Sequence, residues 1–123
     1  MSGANTFFHQ MKPKISVIII NYNTKHFLKS CIESVLAQTY PNIETIFIDN
    51  DSKDGSCELV RKEHPQVTAV CNSENLGYTG AGNQGIKLAK GDYVMILNPD
   101  IIFEPDYIEK CIAKLEQDKE IAS

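Results

Sequence analysis

The sequence predicts an α/β fold, a doubly wound and mostly parallel sheet in the order βαβαβαβα. Two observations carry this. Four apolar runs of five or six residues alternate with segments whose apolar positions recur every three to four residues. Each run leads directly into polar, turn-forming residues, and short connections of this kind favour right-handed helical crossovers between parallel strands.

The elements follow in order. "ISVIII" (15–20) is β-branched and apolar on both faces, as a strand buried within a parallel sheet must be. Thr24 is placed to cap the next helix, and Phe27, Leu28, Cys31, Ile32, Val35 and Leu36 form its apolar stripe. "TYPN" stops that helix, because Tyr40 precedes a proline. "IETIFI" (43–48) is the second strand. "DNDSKDGS" is turn chemistry that ends in a helix start near Ser56, with Cys57, Leu59 and Val60 facing inward. "VTAVC" (67–71) is the third strand, "NSENLGYTG" a loop, and a helix then runs to about Ala89. The fourth strand spans 93–97, and the acid-started "EPDYIEKCIAKLEQD" sets Ile108, Cys111, Ile112 and Leu115 on one helical face.

The chain has 123 residues, 42% hydrophobic and 23% charged, which suits one soluble domain or part of one. "MSGANTFFHQ" reads as a polar extension, reaching to residue 13, and lacks the basic and apolar regions of a signal peptide. Met11 is an alternative start. The longest apolar run is too short to cross a bilayer. The expected location is the cytoplasm, with peripheral membrane attachment as a second option. Cys31, Cys57, Cys71 and Cys111 show no C-x-x-C spacing and read as free, mostly buried thiols. The net charge of −4, with no Lys/Arg patch, argues against a nucleic-acid partner. An anionic ligand would need a helix N-terminus, a backbone nest or a metal ion.

"GAGNQG" (80–85) is a literal G-x-G-x-x-G, the pattern of a dinucleotide site. Its context is wrong. Eight residues separate it from the preceding strand, whereas the first glycine of a dinucleotide fingerprint closes the strand-to-helix turn. The glycines fit better inside a helix, with Gly82 and Gly85 allowing close approach to the sheet and Gly77 and Gly80 serving a loop of special backbone angles. In doubly wound sheets ligands bind beyond the carboxyl ends of the strands. The segments leaving those ends are Asn21–Thr24, Asp49–Gly55, Asn72–Thr79 and Asn98–Asp100, all polar. Asp49 could accept from a pyrimidine N3–H, and Asn50 could donate to a ring carbonyl. Asp100, after "LNP", is a candidate ligand for Mg²⁺ or Mn²⁺, which commonly take one or two carboxylates and complete their shell with water and phosphate oxygens. Asn98 suits a ribose hydroxyl or a metal-bound water. His9, His26 and His64 are isolated from one another, and no nucleophile–base pair can be argued from their spacing.

Together, "ISVIIINYN", "CIESVLAQTYPNIETIFIDNDSKDGS" and "NSENLGYTGAGNQGIKLAKGDYVMILNPD" resemble the inverting, GT-A-fold family 2 glycosyltransferases, especially their rhamnosyltransferase-like branch. The match runs from about Lys14 onward. It implies the nucleotide-sugar-binding part of such a domain, taking a UDP- or dTDP-sugar and a glycan or lipid-linked acceptor. Nucleotide-binding roles then fall on Ile20, Asn21, Tyr22, Asp49, Asn50, Gly77, Asn83 and Asn98, and the metal-binding role on Asp100. Asn50 stands where an Asp is commoner, and Asn98 where the D-x-D metal motif has its first acid. The family's catalytic base belongs to the acceptor-binding half, further along than these residues. The donor and metal site is therefore expected here and the base is not, with a non-catalytic nucleotide-sugar-binding module as the alternative. The open side of the fourth strand, where an acceptor half would pack, is a candidate surface for self-association.

Overall fold

A computed structural model describes residues 12–122 of the chain. Strands β1 (Ile15–Asn21), β2 (Ile43–Asp49), β3 (Thr68–Cys71) and β4 (Tyr93–Leu97) alternate with helices α1 (Lys25–Leu36), α2 (Ser56–Glu63), α3 (Gly77–Leu88) and α4 (Tyr107–Ala122). All strand pairs are parallel, in the order β3-β2-β1-β4. The chain winds outward from β1 to β3, then crosses back to place β4 on the other side of β1. The topological switch therefore lies between β1 and β4. Of the predicted extension, residues 1–11 lie outside the described residues, while the carbonyls of Lys12 and Pro13 accept hydrogen bonds from Asn42 and Tyr40.

The period-two alternation of β1 divides the core into two layers. Ile15, Val17 and Ile19 pack with Leu28, Cys31, Ile32 and Val35 of α1, Cys57 and Val60 of α2, and Ile108 and Ile112 of α4. Ile18 and Ile20 face the other way, with Ile46, Ile48 and Ala81 beneath α3. Every residue of β1 is buried, which explains why its sequence is apolar on both faces. Gly85 lets α3 lie flat on this second face, since a Cβ there would fall 2.6 Å from Ile18 Cγ2.

Four local expectations are corrected. Thr24 stands at the N-cap of α1, but its hydroxyl donates to Asn21 Oδ1 and makes no cap bond. Phe27 and Leu36 flank the buried stripe and are exposed, and Leu115 is likewise exposed on α4. Helix α3 begins at Gly77, where a loop was expected, so that Gly80 lies within the helix and, of these two, Gly77 alone has a positive φ. Cys57 and Cys71, read as free thiols, are paired as a disulfide with Cα atoms 6.0 Å apart. The crossover brings them together: Cys71 ends β3 and Cys57 opens the helix packed on it, a proximity that a separation of 14 residues does not announce. Cys31, buried, and Cys111, half-buried, are free as expected.

Candidate functional site

The four strand-end segments meet at the switch point. Ile20 at the end of β1, Tyr22 and Thr24 after it, Asn50 after β2, Asn75 just before α3, Gly77 and Tyr78 at its start, and Asn98, Pro99 and Asp100 after β4 line a cavity of about 440 Å³, with Phe27 completing the wall. That volume lies within the range of small-molecule sites. Asp100 is the one charged residue in the lining, which holds no Lys or Arg. No cluster of three or more His, Cys, Asp or Glu suited to a metal occurs among the described residues.

The floor is built from polar groups committed to one another. Asn21 is fully buried; its Nδ2 donates to Asp49 Oδ1 at 2.8 Å and to Ser52 Oγ at 3.2 Å. Asp49 accepts also from Ser52 Oγ and from the Ser52 N–H. The two loops are then stitched tip to tip. The Asn23 N–H donates to Ser52 Oγ, the Lys53 N–H to Asn23 Oδ1, and the Lys25 N–H to Asp54. Asn23 and Asp51 take positive φ values of 53° and 64° at these tips, a conformation that Asn and Asp tolerate better than other residues with a Cβ. Burial tends to raise the Asp54 pKa, but hydrogen bonds from Ser56 and Lys25 outweigh it and hold the carboxyl below its ordinary value.

Asn50 joins this floor to α3. It is 3% exposed, and its Oδ1 accepts from the Leu76 N–H while its Nδ2 donates to the Gly77 carbonyl. Asn75 Oδ1 accepts from the Gly77 N–H, so the start of α3 is fixed by two side chains. The N-terminal end of α3 thus opens on the cavity, with its partial positive charge toward whatever fills it. On the opposite side, burial and then the negative charge of Asp100 raise the Cys31 thiol to about 11, so it stays protonated.

Of the residues singled out from sequence, Ile20, Tyr22, Asn50, Gly77, Asn98 and Asp100 border the cavity. Asn21 and Asp49 lie beneath it, and Asn83 projects from the exposed side of α3; none of these three is in the lining. Thr24, Asn75, Tyr78 and Pro99, which lie within the strand-end segments but had been given no ligand role, line it too, as does Phe27. Phe27 had been assigned to the core stripe and Tyr78 to a loop. The one available signal for Phe27 was its nearness to the segment Asn21–Thr24, whereas Tyr78 lies within Asn72–Thr79.

The chain matches the model of glycosyl transferase family 2 over residues 16–123. It belongs to that family. It is 34% identical over 110 residues to the glycosyltransferase GlyG of Streptococcus pneumoniae, covering 87% of this chain and 36% of that protein. Similarity to the chondroitin synthase of Pasteurella multocida is 31% over 113 residues, covering 89% of this chain and 12% of the synthase. The chain thus spans about a third or less of the length of these relatives. Among solved structures, a mannosyltransferase from Pyrobaculum calidifontis in complex with GDP-Man and Mn²⁺ superposes with a TM-score of 0.71 at 27% identity, over 77% of this chain and 30% of that one. S. aureus TarS in complex with UDP shares the fold, with a TM-score of 0.75 at 23% identity over 85% of this chain and 32% of that one. The α/β architecture read from the sequence is the one these structures share. The placement of "GAGNQG" within α3, from its fourth residue on, removes the dinucleotide alternative, whose first glycine belongs in a strand-to-helix turn.

Proposed function

We propose that these residues form the donor-binding part of an inverting glycosyltransferase, taking a UDP- or dTDP-sugar for transfer to a glycan or lipid-linked acceptor. The convergence of all four strand-end segments on one cavity at the β1/β4 switch point carries this reading. Asn50 is placed to meet the base, Tyr22 and Tyr78 to flank it, and Asn98 to meet the ribose or a metal-bound water. Of the two base-reading candidates, Asp49 and Asn50, we favour Asn50; the engagement of the Asp49 carboxylate by Asn21 and Ser52 supports that choice. Guanine is a second candidate base, favoured by the GDP-Man held by the P. calidifontis relative.

The diphosphate brings two or three negative charges to a lining whose one charged residue is itself an acid. Asp100 fits Mg²⁺ or Mn²⁺ where diphosphate oxygens and water complete the shell, and Asn98 beside it is a neutral neighbour. Such an ion would neutralise charge developing on the leaving diphosphate, and the N-terminal end of α3 would assist. Attack by the acceptor hydroxyl needs a base to take its proton. With Asp100 directed to the metal, the lining holds no second carboxylate for that task, so the base is assigned to the acceptor-binding part of the protein. No helix among the described residues is long and apolar enough to cross a membrane.

Calorimetric titration of UDP, dTDP and GDP, with and without Mn²⁺, tests the proposal. At least one binds wild type, and Asp100→Ala abolishes the Mn²⁺-dependent part while leaving nucleoside binding near wild type. Identical Mn²⁺ dependence in wild type and variant would move the metal site elsewhere.

A further inference from the structure

A chain of three side-chain amides runs from the cavity wall to the middle of α3. Asn72 Nδ2 donates to Asn50 Oδ1 at 3.2 Å and to Gln84 Oε1 at 2.7 Å, and Gln84 Nε2 returns a bond to Asn72 Oδ1 at 2.8 Å. Amide orientation here is decided by backbone groups of fixed polarity. The Leu76 N–H can only donate and the Gly77 carbonyl can only accept, and they hold Asn50 Oδ1 and Nδ2 at 3.3 and 3.1 Å respectively. With Oδ1 facing α3, Asn72 must turn its Nδ2 toward Asn50, and Gln84 must then turn its amide to match. Both acceptor positions of Asn50 Oδ1 are filled by protein donors. One N–H of Nδ2 is left beside the cavity.

We propose that Asn72 and Gln84 are positioning residues that hold Asn50 as a hydrogen-bond donor toward the nucleobase, so that the site recognises a ring carbonyl oxygen. This rests on the reading of the cavity as a nucleotide site. It names a class of base, those with a ring carbonyl (uracil, thymine, guanine and cytosine, but not adenine), and assigns selectivity to two residues that do not border the cavity. An Asp at position 50 would set a carboxylate oxygen against the Gly77 carbonyl, so the donor character is built into the surroundings as well as into the residue itself.

The test is calorimetry on the full chain. The ligand is whichever of UDP, dTDP and GDP binds wild type most tightly in Mn²⁺, with Mn²⁺ pyrophosphate as the base-free control. Asn72→Leu weakens the nucleotide about tenfold, the effect of losing a hydrogen bond to a buried amide, and leaves pyrophosphate within about twofold. Gln84→Leu weakens it several-fold. Gln84→Glu weakens it less than Gln84→Leu, because one carboxylate oxygen still accepts from Asn72 Nδ2 although the other meets Asn72 Oδ1 without a donor. In the Asn50→Ala background, Asn72→Leu has no further effect. Gln84 lies near the surface of α3 and provides the same comparison should Asn72→Leu fail to fold. Equal losses for Gln84→Leu and Gln84→Glu, an unaltered Gln84→Leu, or a full Asn72→Leu effect without Asn50 would each overturn the positioning role. Asn50→Ala binding as wild type would overturn this inference alone, whereas no nucleotide binding at all would bring down the nucleotide reading and take the inference with it.

Discussion

Gly85→Ala tests how closely α3 is pressed against the sheet that carries the site. The added methyl would lie 2.6 Å from Ile18 Cγ2, 2.8 Å from its Cδ1 and 3.1 Å from its Cγ1, where carbon atoms prefer about 3.5–4.0 Å. Ile18 cannot yield. It is fully buried in β1, with Ile46 and Ile96 as its register partners on either side. The helix must therefore lift by nearly an ångström. Overpacking of this kind costs about 2–3 kcal/mol, and the better helix propensity of Ala returns about 1 kcal/mol. The net loss of about 1–2 kcal/mol should lower Tm by about 4–8 °C in a domain of this size. Thermal unfolding followed by far-UV circular dichroism measures it. Adding Ile18→Val removes Cδ1 and leaves Cγ2, so the double variant should be more stable than the sum of the single effects implies. A Tm equal to or above wild type for Gly85→Ala would mean that helix propensity dominates and the contact is loose, refuting the packing argument.

Three further outcomes follow from the same geometry. Tyr22 and Tyr78 are each about half exposed at the cavity, at 50% and 48%; Tyr22→Ala and Tyr78→Ala should each weaken nucleotide binding by about fivefold or more through lost stacking, with Tm nearly unchanged. Burial tends to raise the Glu44 pKa, but hydrogen bonds from Ser16 and the Lys90 N–H prevail and hold it below its ordinary value. A depressed folded pKa gives stability that is present above the unfolded value and lost as pH falls, so urea midpoints should drop between about pH 5 and pH 3, with a shallower drop in Glu44→Gln. With Cys31 raised to about 11 and Cys57 and Cys71 joined, iodoacetamide near pH 8 should modify Cys111 first in the native, unreduced protein, as peptide mass spectrometry would show.

β1 and the end of β2 were legible because burial on both faces leaves little choice of residue: they could hardly be anything but apolar. The inner stripe of α1 was legible for the same reason, down to Leu28, Cys31, Ile32 and Val35. Its flanks were not, because a stripe drawn from periodicity is wider than the face a sheet covers, and Phe27 fell to the cavity instead. The start of α3 at Gly77 escaped notice because local propensity opposes it. Asn75 and Asn50 fix that start, and Asn50 reaches it from 27 residues away in sequence. The site's location followed from topology alone, since strand ends at a switch point must share a crevice. Which side chains face that crevice did not follow. Asn21 and Asp49 look like ligand contacts in sequence, yet their polar atoms meet one another, Thr24 and Ser52. Nor does a separation of 14 residues reveal that Cys57 and Cys71 adjoin.

The central claim is that the cavity at the β1/β4 switch point holds a nucleoside diphosphate. Amide chemical-shift mapping of the ¹⁵N-labelled chain, titrated with UDP, dTDP or GDP in Mg²⁺, addresses it directly. The largest shifts should fall on residues 20–24, on Asn50, on Gly77 and Tyr78, and on Asn98 and Asp100, with NAD producing none of comparable size. Shifts confined to the apolar groove between β4 and α4, lined by Val94, Met95 and Leu115, or a larger response to NAD than to any of the three nucleotides, would contradict it.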